Sequence, residues 1–108
     1  SVKYPENIVD DSDAKSFYGA VCAGIKKSTG VADVEITDAM GELALNIKDV
    51  IVKHTKRDWR DNVIVHRDIK KALDDLLFDY MEDNQLDWSL DTIDIIIDEI
   101  MMVAKKGY

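Results

Sequence analysis

The feature that most constrains this chain is a run of residues spaced by alternating steps of four and three: Ile36, Met40, Leu43, Ile47, Val50 and His54. On an α-helix these positions form one continuous seam, whereas a strand, with its period of two, would scatter them over both faces. The pattern predicts a long helix that opens around Ala32 or Asp33 and packs nearly antiparallel to a neighbour. Gly41 interrupts it, either as a weak point costing about 1 kcal/mol relative to alanine or as a place where another element comes close.

Helical periodicity recurs on both sides of this seam. Ala14, Phe17, Val21 and Ile25, widened by Tyr18 and Cys22, mark a first helix; Asp11 or Ser12 supplies its N-cap, Lys26 and Lys27 suit its negative end, and Gly30 stops it. A loop or short helix is expected between His54 and Asn62. Asn62 then caps a third helix carrying Val65, Ile69, Leu73, Leu76 and Tyr80, with Ala72, Leu77 and Met81 beside them, and fraying at Asp83 and Asn84. A fourth starts at Ser89, with Trp88 and Ile93 spaced as a hydrophobic staple. Its core face is Ile93, Ile96, Ile97, Ile100, Met101 and Ala104, and Lys105, Lys106 and Gly107 close it. The β-branched run Ile95-Ile96-Ile97 sits among Asp91, Asp94 and Asp98, which share a face only in a helix. The expected fold is therefore all-α, a four-helix array or bundle with short connections.

Residues 1–11, with the only proline, Pro5, read as a lead-in strap to a single helical domain over residues 12–108. At 108 residues, 46% hydrophobic and 33% charged, the chain is too apolar for disorder and long enough for one core. The lone Cys22 excludes an internal disulfide and a Cys-rich zinc site, and suits a reducing, cytoplasmic compartment. No apolar run approaches the roughly 18 residues of a membrane span, so no membrane partner is expected. The start, Ser1-Val2-Lys3, has neither Met nor a signal pattern, as expected of a piece of a longer protein.

Motifs with possible chemistry are sparse. His66-Arg67-Asp68 matches the catalytic loop of protein kinases, but Leu73 stands where that loop needs a magnesium-binding asparagine, no Gly-rich loop accompanies it, and the triplet falls inside a helical pattern. His54 and His66 lie in no metal-binding word, and His54 reads as a packing or capping residue. Asp91, Asp94 and Asp98, and Asp74, Asp75, Asp79, Glu82 and Asp83, read as solvated acidic faces that offer a basic partner a docking surface, since no calcium-loop spacing is present.

Charge is segregated along the chain. The net charge is −8, yet residues 53–71 hold 7 bases against 3 acids, while residues 72–108 hold 2 bases against 10 acids. Overall acidity opposes whole-surface binding to nucleic acid. The segment's Lys53, Lys56, Arg57, Arg60, Arg67, Lys70 and Lys71, with Trp59 among them, suit three readings: Trp59 as core with the bases paired to nearby acids, contact with a partner, or contact with nucleic acid.

Lys56-Arg57-Asp58-Trp59, followed by Val63, Val65, Ile69, Leu73 and Leu76, resembles the C-terminal helical region of the restriction (R, motor) subunit of type I restriction-modification enzymes. There an Asp-Trp pair after a basic residue introduces an amphipathic helix of the form Ile-x-x-x-Leu-x-x-Leu. Asp13-Ala14-Lys15-Ser16-Phe17-Tyr18-Gly19 is similar to the start of an upstream helix in that region, so the resemblance covers residues 12–82. It implies a large parent with an Asp/Glu-x-Lys-type nuclease domain and two helicase-like domains using ATP and Mg, followed by a helical domain that engages the methyltransferase (M) core. No nuclease or ATPase motif occurs here, neither Gly-x-x-x-x-Gly-Lys-Ser/Thr nor Asp-Glu-x-His. The expectation is a non-catalytic assembly module without cofactor of its own, partnered by the M subunit and meeting DNA through the parent complex. Its candidate contacts are Lys56, Arg57, Trp59, Arg60, Arg67, Lys70 and Lys71; the alternative is a helical DNA-contacting domain using the cations of residues 53–71.

Overall fold

A computed structural model describes residues 3–108 and contains four α-helices, α1 (Ser12–Thr29), α2 (Asp38–His54), α3 (Val63–Asp83) and α4 (Leu90–Gly107), with single 3₁₀ turns at Glu6–Ile8 and Trp59–Asp61. No strand is present among the described residues. Each helix opens on a side-chain cap: Asp11 accepts from the Ala14 N–H, Thr37 from Met40, Asn62 from Ile64 and Val65, and Ser89 from Thr92. Such caps satisfy backbone donors that the first turn leaves orphaned. Gly30 ends α1 with φ 79, the left-handed conformation that glycine adopts without strain.

α1 and α4 form an antiparallel pair around which the rest is built. The Ser28 and Thr92 hydroxyls are hydrogen-bonded at 2.7 Å at one end, and the Tyr108 hydroxyl donates to Asp13 at 2.9 Å at the other. Midway, a Cβ placed on Gly24 would lie 2.7 Å from the Ile96 Cα, so the helices approach backbone to backbone there. α2 and α3 complete the bundle, burying Leu43, Ala44, Ile47 and Ile51 together with Ile69, Leu73 and Leu77 against Phe17, Val21, Ile96 and Ile100. The radius of gyration, 13.1 Å, equals the roughly 13 Å of a compact 100-residue domain, which fits one core rather than two.

The seam starts later than its spacing predicts. Residues 31–37 have no regular structure, α2 begins at Asp38, and Ile36 is 43% exposed rather than part of the interface. Thr37 decides the boundary: its hydroxyl caps Met40 at 3.2 Å, and the preceding β-branched Val34 and Ile36 favour extended backbone. Gly41 is a site of close approach. Its Cβ position is occupied by the amide group of Asn7, whose Nδ2 donates to the Asp38 carbonyl at 3.0 Å. The lead-in is accordingly part of the fold, with Pro5 and Ile8 buried and Tyr4 edge-on to Tyr18; Ser1 and Val2 of the strap lie outside the described residues. At the other end, Gly107 belongs to α4 rather than capping it, and the Tyr108 N–H donates to Ala104. No helix is long and apolar enough to cross a membrane.

Candidate functional site

The segment joining α2 to α3 reverses direction through Asp58, whose φ of 61 is left-handed, and through the 3₁₀ turn that follows. The turn places Trp59 in the core, 3% exposed, with its Nε1 donating to the Tyr108 carbonyl at 3.3 Å and its ring edge-on to His66. Trp59 is thus a packing anchor and not a contact for a partner or a base, because its ring face is already covered. Arg60 lies over that ring, 5.7 Å from its centroid, and donates through Nε to the Lys105 carbonyl at 3.0 Å. This hydrogen bond ties the turn to the last turn of α4.

The remaining cations divide between two open grooves. Lys56, Arg57 and Arg60 line one of about 460 Å³ around the turn, with Thr55, Asp58, Asp61 and Tyr108. Arg67, Lys70 and Lys71 stand at helical steps of three and four on one face of α3. With Val63 and His66 they face Asp94, Ile97 and Asp98 of α4 across a groove of about 850 Å³. The predicted contact residues therefore divide between the α2–α3 turn and a groove that runs along α3 and α4, rather than forming one strip.

Their partners are few. Arg57 meets only its neighbour Asp58, at 4.0 Å with both side chains almost fully exposed, and Lys71 pairs along the helix with Asp75 at 3.5 Å. Exposed pairs of this kind stabilise by about 0–1 kcal/mol. Among the described residues, Lys53, Lys56, Arg60, Arg67 and Lys70 have no carboxylate within 4.0 Å. The reading of Trp59 as core holds, while the bases beside it form few direct ion pairs, although Asp74, Asp94 and Asp98 line the same groove as Arg67, Lys70 and Lys71.

The exposure of two apolar residues escaped the sequence reading. Val63 and Ile64, in the first turn of α3, are 69% and 66% exposed, whereas Val65 packs against the core. The available signal was phase: the core stripe of α3 starts at Val65, which leaves both facing outward.

Several other ionisable groups are tied to the fold. Asp11 is held below the usual carboxyl range by the Ala14 N–H it caps and by Lys48 at 2.8 Å. Burial pushes the Cys22 thiol up, which makes it a poor nucleophile. Tyr108 is raised to about 12 by burial and by Asp13. His54 Nδ1 lies 2.7 Å from the Val50 carbonyl, a local helix-end contact as its place at the end of the seam suggested. His66-Arg67-Asp68 lies within α3, not in a loop. Among the described residues, no three His, Cys, Asp or Glu side chains converge as metal ligands. Comparison with protein-family models, curated proteins and solved structures gives no match.

Proposed function

We propose that this chain is a non-catalytic assembly domain of the R subunit of a type I restriction enzyme, docking the ATP-dependent motor and endonuclease onto the methyltransferase core. One observation carries the docking role: the exposed apolar pair Val63 and Ile64 opens α3 between the turn that bears Lys56 and Arg60 and the α3 face that bears Arg67 and Lys70, and among the described residues none of these four cations has a carboxylate within 4.0 Å. Exposed apolar side chains flanked by cations suit a protein interface, in which the apolar side chains bury and the neighbouring charges steer and register the partner. The link to the R subunit rests on the resemblance over residues 12–82. An R subunit lacking these 108 residues is expected to lose co-purification with the methyltransferase, and the isolated chain to bind that core. If neither deletion nor the isolated chain changes complex formation, the proposal fails.

A second reading has the same cations binding duplex DNA directly. Their spread from the end of α2 into α3 favours it, while the burial of Trp59 removes base stacking from its means. Contacts from Lys53, Lys56, Arg60, Arg67 and Lys70 to phosphates would give a logarithmic salt slope of about −4 to −5 in fluorescence anisotropy. No binding to duplex DNA at low salt eliminates it.

A further inference from the structure

The end of the bundle opposite the basic turn carries a second groove of inverse character. It lies where the last turn of α1, the irregular segment 31–37 and the start of α2 meet the end of α3 and Trp88. Along α2, Met40 of this groove and Lys53 of the basic end are separated by about 20 Å at 1.5 Å per residue, so the surfaces are distinct. The volume is about 450 Å³. One side is aromatic: Tyr80 and Trp88 stack with centroids 5.7 Å apart and planes at 29°. Val31 and Leu86 extend the apolar lining and remain 49% and 38% exposed. The charged groups are Asp33, Glu35 and Asp87, all exposed, and no Lys, Arg or His lines the groove. Among the described residues, none of the three carboxylates has a cation within 4.0 Å.

We infer that this groove docks a short segment of a partner protein in which an apolar side chain is flanked by Lys or Arg. The volume admits one or two side chains, not a helix face. The stacked aromatic pair accepts an aliphatic or aromatic anchor and offers π-faces to a guanidinium. The three carboxylates, which repel one another and lack internal counter-charge, supply the complementarity that selects a cationic segment over an acidic one. The inference goes beyond the methyltransferase reading and does not depend on it, since it uses a different end of the molecule and none of the basic residues.

The test is a titration of the isotope-labelled chain, followed by NMR, with the capped pentapeptide Lys-Arg-Leu-Arg-Lys. Controls are Lys-Arg-Ser-Arg-Lys, which lacks the anchor, and Glu-Asp-Leu-Asp-Glu, which reverses the charge. Saturable shifts are expected at the Trp88 indole, Val31 and Glu35, at least tenfold weaker for either control. They should weaken at least tenfold in the triple variant Asp33→Asn/Glu35→Gln/Asp87→Asn, whose exposed positions leave the fold intact by circular dichroism. Four results overturn the inference: no Trp88 shift at millimolar peptide; equal response to the Ser or acidic control; shifts confined to the Asp91, Asp94 and Asp98 face; or Trp88 shifts that follow protein concentration without peptide. The last assigns the groove to a second copy of this chain.

Discussion

Replacing Gly24 with alanine sets two opposed effects against each other, and the geometry decides between them. In an exposed helix, alanine is favoured over glycine by about 1 kcal/mol. At Gly24 the new Cβ would stand 2.7 Å from both the Cα and Cγ1 of Ile96 and 3.1 Å from its backbone nitrogen, against the roughly 3.5–4.0 Å of a relaxed carbon contact. Part of that obstacle is backbone in the middle of α4, so rotating one side chain gives no relief; α1 and α4 must separate by about 1 Å along the interface that anchors the bundle. Overpacking costs about 1–3 kcal/mol, and a backbone clash belongs at the upper end. The net expectation is a loss of about 2 kcal/mol, or a fall in Tm of roughly 8–16 °C for a domain of this size. Gly19 on the same helix provides the control, because nothing lies within 4 Å of its Cβ position. There only the propensity gain remains, and Gly19→Ala should raise Tm by about 4–8 °C. Thermal melts at 222 nm check both. A Gly24→Ala chain as stable as the original would refute the close approach of α1 and α4.

The other predictions concern single anchors. Trp59→Ala should cost about 3–5 kcal/mol in urea unfolding, as for a core aromatic; a normal midpoint would return Trp59 to the surface. Asp11→Ala should cost about 1–2 kcal/mol at pH 7 through loss of the α1 cap and the Lys48 pair. Because the folded Asp11 carboxyl is held below the reference 3.8, its contribution is full above that pH and is lost as pH falls through the folded value. The deficit of the variant should therefore shrink in acid, and a pH-independent deficit contradicts the mechanism. Thr92→Val keeps the shape of a buried side chain but strips the Ser28 hydroxyl of its 2.7 Å partner, for a loss of about 1 kcal/mol; an unchanged midpoint means that water replaces the bond.

What the sequence made legible was local. The caps at Asp11, Asn62 and Ser89, the αL stop at Gly30 and the whole core face of α4 were readable, because each depends on residues within a turn of one another. The start of α2 was misread since heptad spacing extends through Ile36 without registering that Thr37 caps and that Val34 and Ile36 prefer extended backbone. Gly24 carried no signal of its importance, as its meaning arises only when Ile96 is laid across it, 72 positions later. The basic residues were identified by composition, but their division into two grooves, and how few direct ion pairs they form, depend on how α3 and α4 are juxtaposed. For Trp59 the sequence left burial and contact both open, and the 3₁₀ turn that sends its side chain inward decides for burial.

We propose that the surface bearing Val63, Ile64 and the cations of residues 53–71 joins this domain to a larger assembly. Its most direct test is a calorimetric titration of the chain into the methyltransferase core, repeated with Arg60→Glu/Arg67→Glu/Lys70→Glu after circular dichroism has shown an intact fold. The account predicts saturable binding by the original chain and at least a hundredfold weaker binding by the triple variant. Equal affinity of the two chains, or no binding by either, contradicts it.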